Sequence, residues 1–363
     1  MPKKPKIAFI IPSLRAGGAE RIMSFIASNL DTNKFAPHLI VIGHKNDIAY
    51  SIENIPVTFL EKNRVKIAIP SIISLIHKTQ PDVVVSAIAH LNSAMALISI
   101  LFPKVKFVAR ETIVRSAMLE ITNSSKKSSW ISKLTSKIQA KNLDAVICQS
   151  LDMQNDLINN FGYHKEKLFV INNPITNDFT PKHSQIKNRE PQLITVGRLT
   201  KQKGYKRILK ILKNYDGIFH YTIIGKGDEE ESILSYIKNE NLSDKITHIP
   251  FTKDVKSYLE KSDLYLQGSY VEGFPNALLE SCSVGTPVLV FNALGGINEI
   301  VIEGKNGFIA ADENDFTKKL KIALERKWDI EEVSKSVTER YSSNIILRKY
   351  EDFFLTLLAE KNN

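Results

Sequence analysis

The feature that most narrows the fold of this chain is an alternation. Apolar runs of four to six residues are separated by stretches patterned at helical spacing. The runs are Lys6 to Ile11, His38 to Ile42, Val57 to Leu60, Val83 to Ser86, Val105 to Ala109, Ala145 to Cys148 and Leu168 to Ile171. Helical patterns lie near 68–78, 91–102 and 150–161. Strands separated by helices imply a parallel sheet covered on both faces. A segment rich in Asn and Pro follows, with Asn172, Asn173, Pro174, Asn177 and Pro181, and the polar tract closes at Pro191. The alternation then restarts at Gln192 to Val196, Phe219 to Ile224, Lys245 to Ile249, Asp263 to Leu266, Pro287 to Phe291 and Gly307 to Ala310. At 363 residues the chain exceeds one ordinary core. The sequence predicts two α/β domains, residues 1–173 and 191–342, joined by a linker at 174–190, with a cleft between them. A last helix at 343–363 carries Ile345, Ile346, Tyr350, Phe353, Phe354, Leu357 and Leu358, apolar enough to pack on a body.

Composition excludes several classes. With 43% hydrophobic and 24% charged residues the chain is globular rather than disordered. No apolar run reaches the roughly 18 residues of a membrane span. Ala94 to Phe102 reads as a buried helix. The run behind the basic N-terminus, Ile7 to Ile11, stops at Pro12, which fits a first strand better than a signal peptide. Cys148 and Cys282 stand far apart in apolar contexts, as buried thiols in a reducing cytosol do. The net charge of +10 is uneven: residues 1–189 hold 25 basic and 13 acidic side chains, residues 190–363 hold 24 and 26. The first half therefore wants an anionic partner, whether nucleic acid, an acidic membrane surface or a phosphorylated substrate.

In open parallel sheets ligands sit at the carboxyl ends of the strands. Polar clusters fall there at Ser13 to Glu20, at Ser86 to Asn92 with His90, and at Arg110-Glu111-Thr112. Gly17-Gly18 opens a helix after the first strand but lacks the Gly-x-Gly-x-x-Gly spacing, which disfavours a dinucleotide. It suits either close approach of backbone amides to a phosphate or sugar, or a plain helix cap. In the second half Arg198 can fork onto phosphate oxygens, and Lys203 adds a point charge at the start of the next helix. Glu272-Gly273-Phe274-Pro275-Asn276-Ala277-Leu278-Leu279-Glu280 reads as a strand-to-helix turn. Gly273 permits a sharp turn, Pro275 suits a first helical position, and the helix ends near Gly285. Glu280 is placed to accept from two neighbouring hydroxyls, as on a ribose. Spacing alone carries nothing, since Glu53/Glu61 and Glu331/Glu339 are also eight apart. Gly295-Gly296-Ile297-Asn298-Glu299 is a further helix start. Finally, residues 123–142 place Trp130, Ile131, Leu134 and Ile138 on one helix face, flanked by Lys126, Lys127, Lys133, Lys137 and Lys141 without an acid. That suits contact with anionic lipid, or a core-packed helix with a basic solvent side.

Together, Gly17-Gly18-Ala19-Glu20-Arg21, Gly197-Arg198-Leu199…Lys203-Gly204, Gly225-Lys226-Gly227, Glu272-Gly273-Phe274-Pro275…Glu280 and Gly295-Gly296…Glu299 resemble family-4 retaining glycosyltransferases of the GT-B fold, in order and over nearly the whole chain. The resemblance implies two Rossmann-like domains, acceptor bound mainly by the first and nucleotide-sugar donor by the second, with the C-terminal helix crossing back onto the first. Arg198 and Lys203 would hold the donor diphosphate, Glu280 the ribose and Glu272 the donor sugar. The backbone of Gly273, Phe274, Pro275, Asn276 and Ala277 would lie near the sugar and phosphate, and Gly18, with Gly17, would bring the first domain to the phosphate. No metal or cofactor is expected, and no Asp-x-Asp motif occurs. Many relatives carry His after the Glu matched by Glu111; Thr112 stands there, which puts a catalytic role for Glu111 in doubt and leaves His90 as a local alternative. The expected enzyme is cytoplasmic and peripheral at the inner face of the membrane. It would move a sugar from a UDP-sugar to a polyprenyl-diphosphate-linked glycan, as in lipopolysaccharide or other polysaccharide assembly. An epimerase of the same shape, or a basic nucleic-acid-binding protein, are the alternatives.

Overall fold

The computed structural model describes residues 3–15, 17–49, 52–122, 126–176, 179–182 and 189–359, with the backbone alone for 126–133. The chain divides into two compact units. The first comprises residues 1–116, 124–176 and 343–363, the second 117–123 and 177–342.

The first unit is built from β1 (Lys6–Ile11), α1 (Gly18–Asn29), β2 (Ala36–Val41), β3 (Val57–Phe59), α2 (Val65–Thr79), β4 (Val83–Ala87), α3 (Ala89–Ile98), β5 (Lys106–Arg110), the start of α4 (Arg115–Ile121, of which residues from 117 on belong to the second unit), α5 (Lys126–Asn142), β6 (Ala145–Cys148), α6 (Leu151–Phe161) and β7 (Leu168–Val170). Its strands form one sheet in the order β3-β2-β1-β4-β5-β6-β7, and every described pairing is parallel. Ile7, Phe9, Ile10, Val83, Val84, Val85 and Phe107 are fully buried, as expected for strands covered on both faces. β2 starts two residues earlier than its apolar run, at Ala36, and so includes Pro37. Pairing with β3 begins only at Leu39↔Val57, so the missing N–H of Pro37 removes no ladder bond.

The second unit contains β8 (Gln192–Val196), α7 (Tyr205–Lys213), β9 (His220–Ile224), α8 (Glu230–Asn239), β10 (Ile246–Ile249), α9 (Val255–Lys261), β11 (Leu264–Gln267), α10 (Asn276–Ser283), β12 (Val288–Phe291), α11 (Ile297–Ile300), β13 (Gly307–Ala310), α12 (Glu313–Glu325) and α13 (Ile330–Tyr341). The sheet order is β10-β9-β8-β11-β12-β13, again parallel throughout the described pairings. Both sheets are thus Rossmann-like α/β layers, as the alternation predicts.

The last helix, α14 (Ser343–Ala359), belongs to the first unit. Its apolar face makes it part of that core. Phe354 meets Phe9 and Phe35 edge-on at 6.2 and 6.1 Å, and Phe353 meets Phe169 at 4.9 Å. Lys34 anchors its polar side through Glu351 at 2.7 Å. Burying side chains of this size contributes roughly 1.5–3 kcal/mol each. Among the described residues no helix is long and apolar enough to cross a membrane.

Candidate functional site

In the second unit the chain winds outward from β8 through β9 to β10, and outward the other way from β11 to β13. The strand order therefore reverses between β8 and β11, and at such a point the loops after the two strands part to leave a crevice. The loop after β8 carries Gly197-Arg198-Leu199-Thr200, a turn of 3₁₀ helix at Lys201–Lys203, and Gly204. The loop after β11 carries Gly268 to Pro275. These are the two segments in which the sequence places Arg198, Lys203 and Glu272.

The structure brings Lys203 and Glu272 together. Lys203 Nζ donates to Glu272 Oε1 at 2.7 Å and Oε2 at 2.9 Å. Ser269 Oγ also donates to Glu272 Oε1. The Glu272 side chain is only 7% exposed and that of Lys203 25%. Two hydrogen bonds fix the facing loops: the Gln202 side chain donates from Nε2 to the Val271 carbonyl at 2.8 Å, and Tyr270 N–H donates to the Gln202 carbonyl at 2.9 Å. Arg198 is different. It is exposed, and among the described residues its guanidinium has no hydrogen-bonding or ion-pair partner. A guanidinium without a partner among the described residues, on the same loop as Lys203, is suited to a bidentate anion such as a phosphate.

Glu280 is 5% exposed and lies inside α10, more than one turn from its start. Phe274 is buried, edge-on to Tyr341 at 5.3 Å, which fixes the turn ahead of α10. One detail departs from expectation. Pro275 is the residue before the helix, at φ −74° and ψ 104°, and Asn276 is the first helical position. Its extended ψ lets the turn finish before the helix begins, so the first amides of α10 come from Asn276 and Ala277. Burial pushes the Tyr205 and Tyr265 phenols well up, with the Glu272 charge adding to both, so these hydroxyls stay protonated beside the site.

The glycines of this region serve backbone contact. Gly204 has φ 61°, and a Cβ there would overlap the Gly268 carbonyl. A Cβ on Gly225 would overlap the Gly197 carbonyl, one on Gly227 would overlap Leu199, and one on Gly295 would overlap the Glu272 carbonyl.

One residue escaped sequence reading. Arg207, in the first turn of α7, donates from Nε to the Gly268 carbonyl at 2.5 Å and from Nη2 to the Ser269 carbonyl. Its guanidinium lies 3.6 Å from the Phe291 ring centre and 4.3 Å from that of Tyr270. Burial pulls its pKa down to about 10, still charged at neutral pH. Nothing in Tyr205-Lys206-Arg207 separates this arginine from its solvated neighbour.

Two family models match in tandem and together span most of the chain: Glycosyltransferase Family 4 over residues 16–179, and Glycosyl transferases group 1 over residues 176–340. The chain belongs to the family-4 glycosyltransferases. An uncharacterized glycosyltransferase of Haemophilus influenzae is 31% identical over 156 residues, which is 42% of this chain and 43% of that protein, so the match spans less than half its length. An N-acetylgalactosamine-N,N'-diacetylbacillosaminyl-diphospho-undecaprenol 4-alpha-N-acetylgalactosaminyltransferase of Campylobacter jejuni is 25% identical over 335 residues, 88% of this chain and 90% of that one. Among solved structures, Anabaena Alr3699/HepE in complex with UDP and glucose superposes with a TM-score of 0.76 at 16% identity, covering 97% of this chain and 100% of that one. Its likeness shows the GT-B fold of this glycosyltransferase.

In the first unit of this glycosyltransferase, Gly17 and Gly18 open α1. Gly17 is extended, and a Cβ on it would meet the Glu20 carboxylate, so the helix start folds its own acid back over the glycine. Glu111 is 3% exposed and bound to Arg115, whose Nε donates to Oε2 at 2.9 Å while Nη2 meets Oε1. Arg115 also donates to Ser136 Oγ and Gln139 Oε1, each at 2.7 Å. Burial would pull the Arg115 pKa down, but Glu111 and Tyr163 more than reverse this and raise it. Glu111 therefore stands in a buried ion pair, with Thr112 half-buried beside it. His90 is exposed in the first turn of α3, two residues after Ile88, whose φ of 78° is strained for a β-branched side chain. On α5, Lys137 and Lys141 are exposed and Leu134 is 45% exposed, forming an outward stripe with Ile138. The side chains of Lys126, Lys127, Trp130 and Lys133 lie outside the described residues.

Proposed function

We propose that this chain transfers a hexose or N-acetylhexosamine from a UDP-sugar to a hydroxyl of a polyprenyl-diphosphate-linked glycan, with retention of anomeric configuration. The observation that carries this reading is the Lys203–Glu272 pair at the β8/β11 switch point, with Arg198, which has no partner among the described residues, on the same loop as Lys203. An ammonium has three N–H donors. Two reach Glu272, which leaves one to turn toward a phosphate oxygen while the carboxylate turns to sugar hydroxyls. Glu280 accepts from the ribose hydroxyls, and the start of α10 offers the Asn276 and Ala277 amides.

In transfer, the bond between the anomeric carbon and the diphosphate oxygen breaks with its electron pair leaving on the diphosphate. The acceptor oxygen bonds to that carbon on the same face, and its proton passes to a departing phosphate oxygen. Charge grows on the diphosphate as this happens. Arg198 and Lys203 meet that charge, which is the kind of preorganised stabilisation that lowers such barriers. The lipid-linked acceptor is supported by the Campylobacter relative's name, by the basic first half and by the outward Leu134/Lys137/Lys141 stripe. Such a surface favours an anionic membrane face.

The test is turnover of UDP-N-acetylgalactosamine, UDP-N-acetylglucosamine, UDP-glucose and UDP-galactose with extracted lipid-linked acceptors, followed by product mass and anomeric assignment. Transfer of one sugar with retention is expected. Conversion of the UDP-sugar without acceptor, or equal use of short soluble acceptors with no liposome binding, would overturn the reading or its membrane part respectively.

A further inference from the structure

We propose that Arg207 is a positioning residue for Glu272, setting the carboxylate against the donor sugar from beneath the loop. The geometry runs in one line. The guanidinium holds the two successive carbonyls, Gly268 and Ser269, with which the chain leaves β11. Ser269 in turn donates its hydroxyl to Glu272 Oε1. The loop backbone between them is pinned by Gln202 to Val271 and Tyr270, and Glu272 N–H closes the turn on the Leu294 carbonyl at 2.8 Å. Gln202, Lys203 and Arg207 thus come from one short segment, and each fixes a different part of the Gly268–Glu272 loop.

An arginine is the residue type this place requires. Two carbonyls side by side call for two N–H groups in a fixed fork, which Lys cannot offer. The flat guanidinium also lies against Phe291 and Tyr270, so its rotamer is held by ring contacts and by hydrogen bonds at once. Phe291 is itself stacked on Phe316 at 4.6 Å and 23°, which ties the support to the core of the unit rather than to solvent. The site contact, Glu272, is therefore backed by a rigid element two steps away. Such support matters because a displacement of about 1 Å in a group that orients substrate costs up to about 100-fold in rate.

This assignment rests on the donor-sugar role of Glu272, so the experiment carries both. Arg207→Met, Arg207→Lys, Glu272→Gln and the double variant Arg207→Met/Glu272→Gln are compared in the full chain, using UDP binding by calorimetry and transfer from whichever UDP-sugar the wild type uses. With Arg207→Met, kcat/KM for the UDP-sugar should fall by about 10- to 100-fold. The affinity for UDP, which has no sugar, should stay within about twofold. Arg207→Lys, which keeps the charge and N–H donors but not the fixed fork, should recover part of the loss. In the Glu272→Gln background Arg207→Met should cost little more. If Arg207→Met weakens UDP and the UDP-sugar equally, or if its loss is undiminished in the Glu272→Gln background, Arg207 acts on the unit at large and the proposal fails. If Glu272→Gln itself leaves turnover unchanged, the donor reading of Glu272 fails instead.

Discussion

Replacing Lys203 is the obvious test of the diphosphate assignment, and the structure says it will also change stability. In Lys203→Met the Glu272 carboxylate, only 7% exposed, loses the ammonium that touches both of its oxygens. Breaking a buried pair by removing one partner costs about 3–5 kcal/mol. Here the lysine is a quarter exposed and Ser269 still donates to Oε1, so the loss should be smaller, about 2–3 kcal/mol. The opposite substitution, Glu272→Gln, leaves a lysine that can hydrate through its exposed part, and should cost about 1 kcal/mol. In the double variant neither charge is stranded, so its cost should match that of Glu272→Gln alone, a coupling of about 2–3 kcal/mol. Urea unfolding of the four proteins at neutral pH measures this, with equal slopes as the check that the denatured state is unchanged. A Lys203→Met loss below about 0.5 kcal/mol, or strictly additive losses, would show that the pair carries no net energy and that Glu272 is held by the loop alone. The same four proteins then let activity be read at fixed folded fraction, where Lys203→Met should remain far below Glu272→Gln in sensitivity to the diphosphate.

Further predictions concern single residues. Arg198→Ala should lower donor kcat/KM by about 100-fold while leaving the urea midpoint unchanged, because the side chain has no partner to lose among the described residues. Lys182 is 9% exposed and donates to the Ser262 carbonyl and Thr286 Oγ1, and burial pulls its pKa from 10.5 down to about 8. Its folded pKa lies below the unfolded one, so its contribution is full above about pH 10.5 and lost as pH falls through about 8. Relative to Lys182→Met, wild-type unfolding free energy should therefore gain about 3 kcal/mol between about pH 7 and pH 11; a flat difference would refute it. Gly204→Ala, with φ 61° and a Cβ driven into the Gly268 carbonyl, should cost about 3 kcal/mol, whereas Gly162→Ala, with φ 70° and open space around it, should cost about 1 kcal/mol. Equal midpoint shifts would show that backbone conformation alone decides the cost.

The fold was legible because its signals are local. Strand runs such as Val83 to Ser86 and Leu264 to Leu266 are apolar on both faces, and that needs no knowledge of the partner strand. Lys203 and Glu272, which the structure brings together, stand in segments whose neighbouring Gly204 and Gly273 mark turns, and turns are legible locally. What was not legible depends on distant partners. Arg207 meets carbonyls 61 and 62 positions away. Lys182 lies in a Pro-bounded segment that reads as solvated linker, yet its ammonium bonds to Ser262 and Thr286. Glu111 and Arg115 stand one helical turn apart, a spacing common on exposed helices, and only the surrounding Ser136, Gln139 and Tyr163 make the pair a buried one.

That contrast also explains why short motifs, each weak alone, were informative together. Gly204 is small because the Gly268 carbonyl lies against it, and Gly268 would in turn overlap Gly204 if it carried a Cβ. Gly225 and Gly227 are small because Gly197 and Leu199 lie against them, and Gly295 because of Glu272. The motifs of the second unit are therefore the two sides of the same interlocked loops, each the condition for its partner's geometry. Glycine there keeps backbones close enough for Lys203 and Arg198 to stand where the loops part, rather than serving mainly as a bare approach for ligand. A substitution at one of these glycines should on this view act as a change in Glu272 placement, rescued by relieving its partner and not by raising the donor concentration. Gly295→Ala, whose Cβ would overlap the Glu272 carbonyl, distinguishes the two: a loss of kcat that saturating donor does not restore supports displacement of Glu272, and a rise in donor KM alone refutes it.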